Sequence, residues 1–230
     1  IPRNAVNLPA LPAEEQRRIQ PYLDLGGKLG SFLGQIAGAR VEEVRISYDG
    51  ALDQSSTYLV KNAVLAGILR RSLSERVNLI NAGALATERG IEVSEMRSAR
   101  RAAYVNTLGI AVRTDTGTRS VLGMGDFQGG QRILGIDDIN VEAPLRGTIL
   151  FIRNQDVPGV IGKVGTLLGD RGINIANFAL GRSPEQDEAI ALVNLDQAIS
   201  TADLSDLRAI PAIRFAAVVQ VGDLADGSAA

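Results

Sequence analysis

NQDVPGVIGKVGTLLGDRGINIANFALGR, residues Asn154 to Arg182, changes its hydrophobic period twice, and those two changes set the fold. Asp156, Pro158 and Gly159 have the residue types of a tight turn. From there Val160, Ile161, Val164, Leu167 and Leu168 recur at spacings of three and four, the buried stripe of an amphipathic helix that Gly172 ends. Ile173 to Arg182 then reads as a strand. Working outward, Thr148 to Arg153 is a strand before the turn, and Glu188 to Leu195 is a strand after the polar segment SPEQD. Ser200 caps a helix running to Ala209, and Ile213 to Val221 alternates as a last strand. The resulting order over residues 144–222 is βαββαβ, which places two helices on one face of a four-stranded antiparallel sheet. Residues 223–230 read as a flexible tail.

Upstream, Leu25, Leu29, Phe32, Leu33 and Ile36 form the stripe of a helix over Tyr22 to Ala37. Val41 to Tyr48 alternates as a half-buried strand ending at Gly50, and Thr57 to Leu73 is a second helix. A short helix over Ala82 to Arg89 stops at Gly90, with a strand over Ile91 to Met96 after it. Tyr104 to Arg113, Thr118 to Gly123 and Gln131 to Ile136 are strands separated by DTG and GDFQGG, which suggests an antiparallel meander. Residues 22–143 therefore read as one α+β domain, and Pro144 with Gly147 marks its boundary. Residues 1–21 contain four prolines and no sustained period, so they are expected to form an extended connector from something upstream.

Composition narrows the functional classes. At 230 residues, with 45% hydrophobic and 22% charged residues, the chain suits two folded domains. A net charge of -2 gives no reason to bind nucleic acid. The absence of cysteine removes disulfides, thiolate nucleophiles and sulfur ligands, and fits a reducing cytoplasm. Histidine is absent too, which takes away the commonest general acid or base. No run approaches the ~20 apolar residues of a membrane helix, and the first residues lack the apolar stretch of an export signal. Asp137 and Asp138 read as a solvated turn. Gly123-x-Gly125 with Gly129 imitates a dinucleotide loop, but the strand-like RILGI follows it where a helix is required, so it reads as a plain turn.

The Asn154 to Arg182 segment resembles the ACT domain in the form found at the C-terminus of D-3-phosphoglycerate dehydrogenase. The marks are the Asp156, Pro158, Gly159 loop, Gly162 and Gly165, and the Gly172, Ile173, Asn174, Ile175 strand entry. The preceding domain resembles that family's intervening, allosteric-substrate-binding domain. AVNLPALPAEE with PYLDLGGKLG resembles the junction that follows the catalytic half. The resemblance implies a regulatory and oligomerisation segment of the enzyme that opens L-serine biosynthesis from 3-phosphoglycerate. It implies that NAD and the catalytic residues belong to a half not present here, so this chain alone has no catalytic activity. It also implies a homo-oligomer, dimer or tetramer, with L-serine as effector.

By that resemblance Asn154, Asp156 and Asn174 occupy positions that contact L-serine across a pair of ACT domains. Asn154 departs from the His or Tyr that relatives often carry there. The chemistry is coherent. An amino acid brings an ammonium, for which Asp156 is an anionic acceptor, and a carboxylate, which suits the amides of Gly159, Val160 and Ile161 at a helix N-terminus. Pro158 fixes the loop and Val157 lies between them; the bare alternative is that DVPG only turns the chain and caps a helix. Arg132 matches a position that helps bind a phosphorylated acid in relatives, with Arg146 as partner, or is a solvated arginine on a β meander. Arg100 and Arg101 form another basic pair. Two further readings stay open: the β chain of an iron-sulfur L-serine dehydratase, which joins similar domains, and a purely structural assembly module.

Overall fold

The computed structural model describes residues 13–222, apart from 39, 50–53, 71–72, 74–76, 98–106, 126–129, 184 and 186. The connector as far as residue 12, the Arg100 and Arg101 pair, the start of the expected strand at Tyr104, Gly129 and the 223–230 tail lie outside the described residues.

Helix α1 spans Ala13–Ile36 and contains Pro21, so the expected extended connector is helical from residue 13. Ile19, Tyr22 and Leu23 are all buried and continue the stripe of Leu25, Leu29, Phe32 and Leu33. That burial outweighs the roughly 3 kcal/mol that an interior proline costs a helix. Strand β1 (Val41–Tyr48) follows, then α2 (Gln54–Leu69), which begins and ends a few residues before the expected Thr57 to Leu73. Next come α3 (Ala82–Glu88), β2 (Glu92–Arg97), β3 (Thr107–Thr114), β4 (Gly117–Gly125), β5 (Gln131–Ile136) and β6 (Ile139–Pro144).

These six strands form one sheet in the order β2-β1-β3-β4-β5-β6, antiparallel throughout except for the parallel β1–β2 pair. The meander holds, with one addition: β6 was not expected. Its alternation, with Ile139, Val141 and Ala143 buried against exposed Asn140 and Glu142, is a regular half-buried strand. Gly123 and Gly125 lie inside β4 and not in a turn. A Cβ on Gly123 would lie 2.9 Å from Leu29 and 3.0 Å from the Arg132 carbonyl, so this glycine admits α1 onto the sheet.

The second sheet contains β7 (Gly147–Gln155), β8 (Ile175–Ser183), β9 (Glu188–Leu195) and β10 (Ile213–Val221), in the order β10-β7-β9-β8. With α4 (Val160–Asp170) and α5 (Thr201–Arg208) this is the expected βαββαβ ferredoxin-like unit. One face, through Leu150, Ile152, Val193 and Leu195, packs on Val160, Val164 and Leu168 of α4 and Leu207 of α5. The other face, through Ile149, Phe151, Ile190, Leu192 and Val219, joins the core of the first domain. Phe151 meets Phe32 of α1 edge-on, with ring centroids 6.0 Å apart, and Phe215 at 5.8 Å. At roughly 1.5–3 kcal/mol per buried large apolar side chain, this interface has the character of a protein interior. Among the described residues no helix is long and apolar enough to cross a membrane.

Candidate effector site

Strand β7 delivers the 156–159 loop to one end of the second sheet. Three backbone bonds anchor the loop: Gln155 N–H donates to Ala212 O at 2.8 Å, Asp156 N–H to Asp187 O at 2.8 Å, and Val157 N–H to Gln155 O at 2.9 Å. Gly159 then takes the left-handed conformation, φ 88°, at the N-cap of α4 and provides no side-chain cap. Only glycine adopts that backbone without strain. The first-turn amides of an 11-residue helix are thus open to an external acceptor, and the helix dipole favours an anion there. From Gly159 an open groove of about 680 Å³ runs along α4, lined by Gly162, Lys163, Thr166, Leu167 and Arg171 among others. Val157 in the loop and Ile161 in the first turn of α4 are exposed.

The Asp156 carboxylate is already engaged. Arg182, near the end of β8, holds it with both arms of its guanidinium, Nε to Oδ2 at 2.9 Å and Nη2 to Oδ1 at 3.0 Å. Asn154 is 4% exposed, so it is no open ligand contact in a single chain. Strand alternation puts it on the helix-facing side with Leu150 and Ile152, under the entry to α4, where its Nδ2 donates to Gln155 O at 2.7 Å. Asn174 lies elsewhere. The register places Arg182 beside Ala189 and Asn154, and Ile175 beside Leu195 and Thr148. Seven strand residues, roughly 20 Å, separate the two ends. At its own end Asn174 donates to the Asp196 carboxylate and accepts from Asp196 N–H at 3.2 Å. One chain therefore assembles Asp156, Val157, Pro158, Gly159, Val160 and Ile161, but not Asn174.

Arg132 and Arg146 do not line this groove. Arg132 forms an exposed cross-strand pair with Glu142, Nε to Oε1 2.8 Å. Arg146 is exposed, and its carbonyl accepts from Asn194 Nδ2 at 3.1 Å. Beside them the buried Lys28 donates to Gln131 Oε1 at 2.8 Å, a contact that no local pattern announces.

A charge network behind the loop also escapes a reading of the sequence. Asp137 and Asp138, at φ 47° and 66°, form the tight β5–β6 turn. Asp137 is nevertheless not solvated: at 12% side-chain exposure it binds Arg119 at 2.6 Å and, across the domain boundary, Arg153 at 3.3 Å. Arg153 continues to Glu188 at 2.6 Å, and Glu188 also binds Arg214 at 2.6 Å. The Arg153 hydrogen bond holds the Glu188 carboxyl below the ordinary carboxylate range, against an opposing push from burial. Replacing Glu188 by glutamine should lower stability by about 1–3 kcal/mol at neutral pH, because two guanidinium groups lose a charged acceptor. A depressed folded-state value means that the contribution is full above the unfolded value, about 4.3, and fades as pH falls through the folded one. The melting-temperature gap between Glu188→Gln and the parent should therefore close on acidification. A gap independent of pH would refute the role given to this carboxylate.

With this geometry in place, comparison with known proteins adds the following. The family model of the D-3-phosphoglycerate dehydrogenase intervening domain matches residues 18–137, and that of the ACT domain matches residues 148–212. The D-3-phosphoglycerate dehydrogenase of Bacillus subtilis (strain 168) is 35% identical over 210 residues, covering 91% of this chain and 40% of that protein. That of Synechocystis sp. is 34% identical over 220 residues, covering 95% and 40%. That of Methanocaldococcus jannaschii is 33% identical over 221 residues, covering 96% and 42%. The chain thus spans about two fifths of the length of these relatives.

Proposed function

The chain belongs to the D-3-phosphoglycerate dehydrogenase family through its intervening domain, and from that premise we propose that it is the regulatory and subunit-pairing segment of such an enzyme, binding L-serine at the Asp156 loop of its ACT domain. In this reading the remaining length of the relatives carries the NAD-dependent oxidation of 3-phosphoglycerate, in the cytoplasm, and the effector is the end product of the pathway that this step opens. The loop geometry supports the reading: Asp156 stands three residues before an N-cap, Gly159, that provides no side-chain cap and from which an open groove runs along the helix. An ammonium and a carboxylate two bonds apart match that pair of charges. Asn174 joins the site from a second chain, because within one chain it sits at the far end of β8. Serine then regulates only through differential affinity, so the pairing of the two chains must change between the enzyme's states.

The test is thermal unfolding of the full chain with and without L-serine. Serine at a hundredfold excess over Kd should stabilise it by about 2.7 kcal/mol. Asp156→Ala should bind more than tenfold more weakly, since a charge-assisted hydrogen bond contributes about 1.5–3 kcal/mol. If Asp156→Ala instead lowers the melting temperature without ligand, and serine shifts neither protein, the loop is structural only. That second reading, an assembly module, draws its support from the core shared by the two domains.

A further inference from the structure

In the free chain Asp156 is occupied by Arg182, and that occupant has the chemistry to be exchanged. Arg182 covers both carboxylate oxygens with a parallel fork, yet its side chain is 68% exposed while that of Asp156 is 25% exposed. Arg182 makes no other side-chain hydrogen bond among the described residues. The outer face of the guanidinium stays in water, so a ligand cation can take its place without opening packed core. Its backbone cannot follow. Arg182 is registered against Ala189 in the sheet, and the preceding Gly181 is pressed so closely on β6 that a Cβ there would lie 2.4 Å from the Asn140 carbonyl. The side chain is thus an exposed cation on a fixed tether, paired with the one carboxylate of the loop.

We infer that Arg182 is the exchangeable cap of this site and, together with the first-turn amides of α4, its receptor for the ligand carboxylate. In the free chain it neutralises Asp156. When an α-amino acid enters, the ligand ammonium takes Asp156, and the displaced guanidinium closes on the ligand carboxylate. No bond is made or broken; two charge pairs replace one. Arg182 is the fitting cation because the ligand's own charges lie only two bonds apart, and a receptor for the second must stand next to the acceptor for the first. Lys163, on α4, lies along the groove and not on Asp156. The planar fork also matches a carboxylate bidentately, as an ammonium does not. The site therefore selects molecules carrying both groups over simple amines and over simple acids. This inference rests on the effector reading above.

The experiment is calorimetric titration of the full chain, Arg182→Gln and Lys163→Gln with three probes: L-serine, serinol, which has the amine without the carboxylate, and 3-hydroxypropionate, which has the carboxylate without the amine. The parent and Lys163→Gln should bind serine and neither of the other two. Arg182→Gln should bind serine at least tenfold more weakly while gaining affinity for serinol, because Asp156 is uncapped, so that the preference between the two collapses. Unchanged melting of ligand-free Arg182→Gln would show that the fold is intact. If the parent binds serine and Arg182→Gln keeps both its affinity and its selectivity, or if Lys163→Gln is the variant that loses selectivity, Arg182 is not the receptor although the effector site stands. If the parent binds none of the three, the effector reading and this inference fall together.

Discussion

Gly67→Val should leave little folded protein. Helices α1 and α2 meet backbone to backbone: a Cβ on Gly67 would lie 2.3 Å from the Gly27 carbonyl and 2.6 Å from Ser31 N, and one on Gly30 would lie 2.3 Å from the Val64 carbonyl. The obstructing atoms are main chain, so no rotamer change relieves them, and the helices must move apart. Overpacking a core costs typically 1–3 kcal/mol when side chains can adjust; here they cannot, and a loss beyond about 4 kcal/mol is expected. That is comparable to the whole stability of an ordinary domain. Because α1 also carries Phe32 onto Phe151 and pairs Gln35 with the Gln220 backbone, the damage should reach the second sheet. Denaturant unfolding followed by circular dichroism measures it. Gly162→Ala, where nothing lies within 4 Å, is the control and should be neutral or slightly stabilising. A Gly67→Val midpoint close to that of the control would contradict the close approach of the helices.

The second large effect is expected at Gly181, where β8 crosses β6. An added Cβ would lie 2.4 Å from the Asn140 carbonyl, 2.8 Å from Ile139 Cγ2 and 2.9 Å from Val141 Cβ. Gly181→Val must therefore push the second sheet off the first domain. The apolar face of Ile149, Phe151, Ile190 and Leu192, now part of a common core, would be partly exposed. We expect a loss of about 3 kcal/mol or more. The parent should unfold in one calorimetric transition, as a shared core requires. Gly181→Val should unfold earlier, and in two resolved steps if the domains part before they melt. A single transition at the parent temperature would show that the two domains do not depend on this contact.

Much of the fold was legible before the structure was known. The switch from a period of three and four at Val160–Leu168 to a strand at Ile173 marked α4 and β8, and the turn chemistry of Asp156, Pro158 and Gly159 marked the loop. Two local failures have local causes. Pro21 reads as a helix breaker, but Ile19 and Tyr22 bury enough surface to carry α1 through it. Ile139 to Pro144 was given no element because the paired aspartates before it read as a solvated turn, although they are the left-handed turn of a hairpin.

The candidate site divides in the same way. Its loop residues followed from nearest-neighbour chemistry, whereas Arg182 and Glu188 entered only as the ends of two strands. Arg182 finds Asp156 across 26 residues, and Arg153 finds Glu188 across 35. By itself the sequence determined the order of elements, the βαββαβ unit and the loop before its first helix, because periodicity, capping and turn preference act within a few residues. Only the tertiary structure decided which charges meet, that Asn174 stands a strand's length from Asp156, and that the two domains share a core. Those outcomes depend on strand register and on backbone approach at Gly67 and Gly181, and a one-residue shift in register turns every side chain of a strand to its other face.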